Sequence, residues 1–152
     1  MSDASFGDGD EAPLRLRAFD AEDLAVISGL VQDAVFPGDE MTWDRKARRF
    51  AVLLNRFRWE RGGRAAERVQ SVLAVEDALA VQSQGIDPKD ADTVLSVLSV
   101  TFEPGEDGTG RVVLTLAGDG AIGVSVEALE VVLQDVTRPY VAPSGMRPEH
   151  PE

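Results

Sequence analysis

Cysteine is absent from the 152-residue chain, and histidine occurs once, at His150. The first absence excludes a disulfide framework, a thiol nucleophile, an iron–sulfur cluster and every cysteine-containing zinc site. The second leaves a single imidazole, third from the end in a Pro-rich tail. Ser-His-Asp catalysis and histidine metal sites both need an imidazole held rigidly against its partners, so neither is expected. No cofactor is implied. No stretch approaches the roughly 18 consecutive apolar residues of a membrane span. The start, Met1 to Glu11, is acidic where a signal peptide would be basic and then apolar. These absences together predict a soluble cytoplasmic protein. Positive charge is also scarce: 15 Lys and Arg face 27 Asp and Glu, a net charge of −12. A surface must collect cations to release counterions from a phosphate backbone, so general binding to polyanions is disfavoured.

What is present is a globular composition, 43% apolar, at a length that suits one domain with a sizeable core. Residues 1–12 hold four acids and two glycines and few apolar groups, and read as a disordered acidic N-terminus. Residues 141–152 contain Pro143, Pro148 and Pro151 without a hydrophobic period and read as a disordered Pro-rich tail. Between them, 13–140 reads as a single α+β domain.

Local patterns fill in that body. Leu14 to Ala18 alternates like a short strand, and Asp20 stands where a helix cap should, with Leu24, Ile27, Val31 and Ala34 at helical spacing after it. A helix over 21–33 follows. Met41–Asp44 reads as a short strand and Arg48–Trp59 as a long central one, apolar on both faces in its first half. Glu67–Val75 and Leu79–Gly85 suggest a hairpin turning at Glu76-Asp77. Val94–Phe102 and Arg111–Ala117 flank a Gly-rich loop, and Ala121–Ser125 adds another strand. In Glu127–Asp135, Leu129, Val132, Leu133 and Val136 fall at helical spacing, predicting a C-terminal helix. Short connections imply antiparallel pairing. The expected architecture is one curved, mostly antiparallel sheet of seven or eight strands with an N-terminal and a C-terminal helix, comparable to a pleckstrin-homology-like barrel.

Two apparent motifs lose their meaning in context. Gly118-Asp-Gly-Ala-Ile-Gly123 has the G-x-G-x-x-G spacing of dinucleotide sites, but Val124-Ser-Val126 continues it as strand rather than helix, so a tight hairpin turn is expected. Asp87, Asp90 and Asp92 crowd one loop but lack the alternating acids, Gly and distal Glu of a calcium loop. A solvated turn accounts for them.

Residues 44–68 are the most informative. They carry nine basic and three acidic side chains, a balance of +6, which leaves −18 on the rest of the chain. By strand parity Arg56 and Arg58 share one face while Asn55, Phe57 and Trp59 share the other. The aromatic face is expected to pack and the basic face to project. Arg45, Lys46, Arg48, Arg49, Arg56 and Arg58, with Trp43 for stacking, are therefore candidate binding residues for an anionic ligand, an RNA strand or an acidic partner. The competing reading is that these cations neutralise the surrounding acids and keep a sheet face solvated. Asn55, a polar amide within an apolar run, is expected to lock a neighbouring loop or line a pocket.

The segments Asp23–Val35, Met41-Thr-Trp43 and Arg49-Phe-Ala-Val-Leu-Leu-Asn-Arg-Phe-Arg-Trp-Glu60 resemble a family of short uncharacterised alphaproteobacterial proteins catalogued as a domain of unknown function. The resemblance continues through Arg68–Val75, Val81–Ile86, Val97–Glu103 and Leu116–Ile122. It implies a compact single-domain protein and carries no activity, ligand or catalytic residue with it. The absence of a catalytic constellation, with the uneven charge, favours a non-enzymatic binder of an unknown protein partner over one of nucleic acid or membrane. The alternative is an anionic-metabolite binding protein or enzyme with a pocket near Asn55.

Overall fold

The structure, a computed structural model, describes residues 13–59, 67–87 and 92–141. Its elements are β1 (Arg15–Ala18), α1 (Ala21–Leu30), β2 (Val35–Pro37), β3 (Met41–Asp44), β4 (Arg49–Phe57), β5 (Glu67–Val75), β6 (Ala78–Gln84), β7 (Val94–Pro104), β8 (Gly110–Leu116), β9 (Ala121–Val126), β10 (Val131–Asp135) and β11 (Tyr140–Val141). The proposed N-terminal tail, 1–12, lies outside the described residues, as do 142–152 of the proposed tail 141–152 and Asp90 of the acidic loop; Val141 belongs to β11.

Asp20 caps α1, its carboxylate accepting from the Asp23 amide at 2.8 Å and so satisfying one of the donors a helix start leaves open. Leu24 and Ile27 are buried, and the Ser28 hydroxyl accepts from the Val100 amide at 2.8 Å, fixing the helix to β7. The helix ends earlier than its spacing predicts. Asp33 adopts φ 66°, and its amide donates to Val97 O at 2.9 Å while Val97 N donates to Ala34 O at 2.9 Å. Sheet pairing thus captures the chain before another helical turn forms. No helix among the described residues is long and apolar enough to cross a membrane.

The fold is α+β, mostly antiparallel sheet with this one helix. The strand order is β1-β10-β5-β4-β2-β7-β8-β9-β6, with β3 added to β4 and β11 to β5. Among the described residues eleven strands replace the seven or eight expected, and the sheet does not close. Two of the extra ones, β2 at three residues and β11 at two, are too brief to leave a pattern, and the third is β10. β2 nevertheless joins the two halves, pairing Val35 with Asn55 of β4 and Val35 to Pro37 with Ser96 to Val94 of β7. The inner faces meet in one apolar core containing Val52, Leu54 and Leu73 from one half and Val100, Leu114 and Val124 from the other.

Two further expectations need correction. Residues 131–135 form strand β10 rather than a C-terminal helix, paired with β1 on one side and β5 on the other. Val131, Val132 and Leu133 are all buried, so both faces of β10 are apolar and the two-residue alternation that marks a strand is lost. The coincidental helical spacing is all that remains. With that helix goes the element on which the pleckstrin-homology-like comparison rested. Nor do β5 and β6 form a hairpin. Asp77 adopts φ 54°, and β6 leaves the first half of the sheet to pair with β9, so the turn is a corner between halves. The Gly118-Asp119-Gly120 segment does make the expected turn: Gly118 and Asp119 take φ 83° and 70°, and Leu116 N donates to Gly120 O at 2.8 Å.

Candidate functional site

Strand parity places the cations of 44–68 in different environments. Phe50, Val52 and Leu54 of β4 point into the core, and Arg56 has the same parity, so its side chain enters too. It is 0% exposed, and Arg58 is only 4% exposed. The expected projecting face therefore does not include these two arginines.

Arg56 is held at the end of the core. Its Nη2 donates to Asp135 Oδ1 of β10 at 2.9 Å, and its Nε donates to Ser71 Oγ of β5 at 2.9 Å. Ser71 Oγ in turn donates to the same Asp135 oxygen at 2.7 Å, while Oδ2 accepts from the Leu14 amide at 3.0 Å. Register explains the meeting: Ser71 lies opposite Asp135 on one side of β5 and beside the Arg56↔Val69 pair on the other. A buried pair with its remaining sites hydrogen-bonded avoids the desolvation cost of a lone charge. Nearby, Arg58 Nη1 donates to Glu67 Oε1 at 2.7 Å.

The cations at the other end of β4 are exposed. The β3–β4 turn is built by Ala47 N donating to Asp44 Oδ1 at 3.0 Å and by Arg48 at φ 56°. Arg48 pairs with Glu127, and Arg49 Nε donates to both Glu76 oxygens at 3.0 and 2.9 Å. The Glu76 hydrogen bond and charge hold the Arg49 guanidinium above its ordinary pKa. Arg45 and Lys46, at the tip, have no ion-pair partner among the described residues. Beside them a groove of about 550 Å³ runs between Trp43 of β3 and Ala78 to Val81 of β6, walled at one end by Arg45 and Arg48.

Asn55 belongs to a third place. Its Nδ2 donates to the Tyr140 hydroxyl, and its Oδ1 accepts from Arg68 Nε at 2.6 Å, tying β11 to β4 across β5. Burial pushes the Arg68 guanidinium below its ordinary pKa. Asn55 also lines a groove of about 320 Å³ with Glu40, Gln70, Phe36 and Val94. The structure thus brings Trp43, Arg45 and Arg48 together and separates them from Asn55. Ser71, Asp135, Glu67, Glu76 and Glu127, the partners that sort these cations, were not singled out from the sequence. Only the parity of Arg56 with Phe50, Val52 and Leu54 pointed towards them. Among the described residues no group of three or more His, Cys, Asp or Glu is placed to hold a metal ion.

Fold and site together define a small antiparallel β domain, buttressed by one helix, with an ion pair in its core and a basic rim beside an open groove. The family model described as a protein of unknown function, DUF2948, matches residues 14–150, and the chain belongs to that family. No curated protein and no solved structure matches it.

Proposed function

We propose that this domain is a non-enzymatic binding protein that engages an acidic protein partner at the rim formed by Arg45, Lys46 and Arg48 with Trp43. One observation carries the reading. In a chain of net charge −12, Arg48, Arg49, Arg56 and Arg58 are each matched to a carboxylate, whereas Arg45, which lines the groove, and its neighbour Lys46 stand exposed. Cations with no ion-pair partner among the described residues, next to a half-buried Trp, are suited to a carboxylate-bearing surface, with charge steering the encounter. The buried Arg56 and Arg58 serve the fold instead. Retention of partners from native lysate, followed by crosslinking, tests the reading through Arg45→Glu/Lys46→Glu. The charge-reversed protein should keep its unfolding midpoint and lose salt-sensitive partners at least tenfold. Unchanged retention would sink the proposal.

A second reading, binding of an anionic metabolite near Asn55, is favoured by Arg68, which is half-buried and bonds an amide rather than a carboxylate. Ligand bound only to the native state at 100 times its dissociation constant adds about 2.7 kcal/mol. A thermal-shift screen of phosphorylated metabolites that stays flat rejects it.

A further inference from the structure

The groove beside the basic rim is also the place where the sheet fails to close. Among the described residues β6 pairs only with β9 and β3 only with β4, so each presents an unpaired edge. β6 starts against the β3–β4 turn, where Ala78 N donates to Arg48 O at 2.9 Å, and the register shift between Ala78 and Ala80 interrupts the regular ladder of β6 with β9. The resulting seam, bounded by Trp43 on one side and Ala78 to Val81 on the other, exposes main-chain donors and acceptors along β6.

The two ends of the strand order are treated differently. β1, at the far end, carries Arg15 and Arg17, pairs Arg17 with Glu130 and is packed by α1. Charges and a covering helix are common protections for a sheet edge. β6 has the sequence Ala-Leu-Ala-Val-Gln-Ser-Gln, with no charged residue and no proline in seven positions. Leu79, within the register shift, is 53% exposed and lines the groove, whereas Val81 is half-buried and packs against the core.

Resting on the binding reading above, we propose that the seam receives an extended acidic segment of a partner protein as an added strand on β6. Strand addition satisfies the open main-chain groups, and side chains at alternate positions supply specificity. The exposed Leu79 calls for an apolar side chain in the incoming segment, and Arg45 and Lys46 call for carboxylates where it passes the β3–β4 turn. Charge complementarity selects an acidic segment over a basic one. Two tip cations would give single-stranded RNA only a shallow salt dependence, a log–log slope of about −1.4.

The probe is a displayed library of random dodecapeptides panned on the full-length chain, with selected peptides resynthesised and titrated by fluorescence anisotropy. Acidic peptides with alternating apolar residues should emerge, weakened at least tenfold by Arg45→Glu/Lys46→Glu and by Leu79→Glu. Methylating alternate backbone nitrogens of the peptide should abolish binding for one of the two phases of alternation. Failure to enrich such peptides, or indifference to methylation in both phases, overturns strand addition. Lysate retention that depends on Arg45 and Lys46 but not on Leu79 does the same while leaving the basic-rim reading standing. Loss of all retention in wild type removes both. A nuclease-sensitive partner, or concentration-dependent dimerisation in sedimentation that Leu79→Glu abolishes, assigns the edge to RNA or to a second copy and overturns the proposal.

Discussion

Arg56 is among the largest fully buried side chains in the core, and Ser71 and Asp135 meet its charge there. Removing one partner of such a pair leaves an uncompensated buried charge, which costs about 3–5 kcal/mol, whereas replacing both by apolar groups is often neutral or stabilising. Asp135→Ala should therefore destabilise the domain by about that amount in urea unfolding, and Arg56→Met/Asp135→Leu should recover most of it. If the double variant is as unstable as the single, the triad does more than satisfy itself. The sequence contained half of this arrangement. Arg56 follows Phe50, Val52 and Leu54 at two-residue intervals, so alternation pointed inward while its charge pointed outward. What no local pattern could supply was the carboxylate, 79 residues away in a stretch that resembled a helix.

At the scale of elements, legibility followed exposure. The capped helix and the strands β8 and β9 alternate cleanly, because one face meets the core and the other is at least partly accessible. β10 is hidden on both sides and lies between β1 and β5, so its apolar run carried no usable period. Leu133, with 0% exposure, projects from the middle of that strand. Leu133→Ala should cost about 2–5 kcal/mol by the combined loss of transfer free energy and the cavity left behind. Chemical denaturation at constant m-value is the measurement; a change below about 1 kcal/mol contradicts a central position for β10. The corner at Asp77 was illegible for another reason. Two strands joined by a short turn usually pair with each other, and only the presence of β9 on the other half draws β6 away.

For the whole molecule, long-range pairing brings acids from outside the basic segment onto some of its cations. Glu76, Glu127 and Asp135, all outside the basic segment, return to Arg49, Arg48 and Arg56. The proposed site was therefore legible in part: the sequence shows where the cations cluster, but long-range pairing decides which of them meet a carboxylate. The same pairing makes the domain depend on sequence-distant partners, since β10 separates β1 from β5. A chain ending at Glu130 lacks that strand and the Asp135 carboxylate, and should show no cooperative thermal transition in circular dichroism. A sharp transition in this truncated chain would mean that the remaining sheet is self-sufficient.

The place of Asp135 in the chain also sets an order of events during synthesis. Arg56 leaves the ribosome 79 residues ahead of its carboxylate, an interval of about 4–16 s at elongation rates of roughly 5–20 residues per second. Throughout that interval the nascent chain holds a cation it cannot yet bury. The final sealing of this core is therefore timed by translation of β10, and a pause just before that strand would prolong exposure of the β4–β5 surface to chaperones.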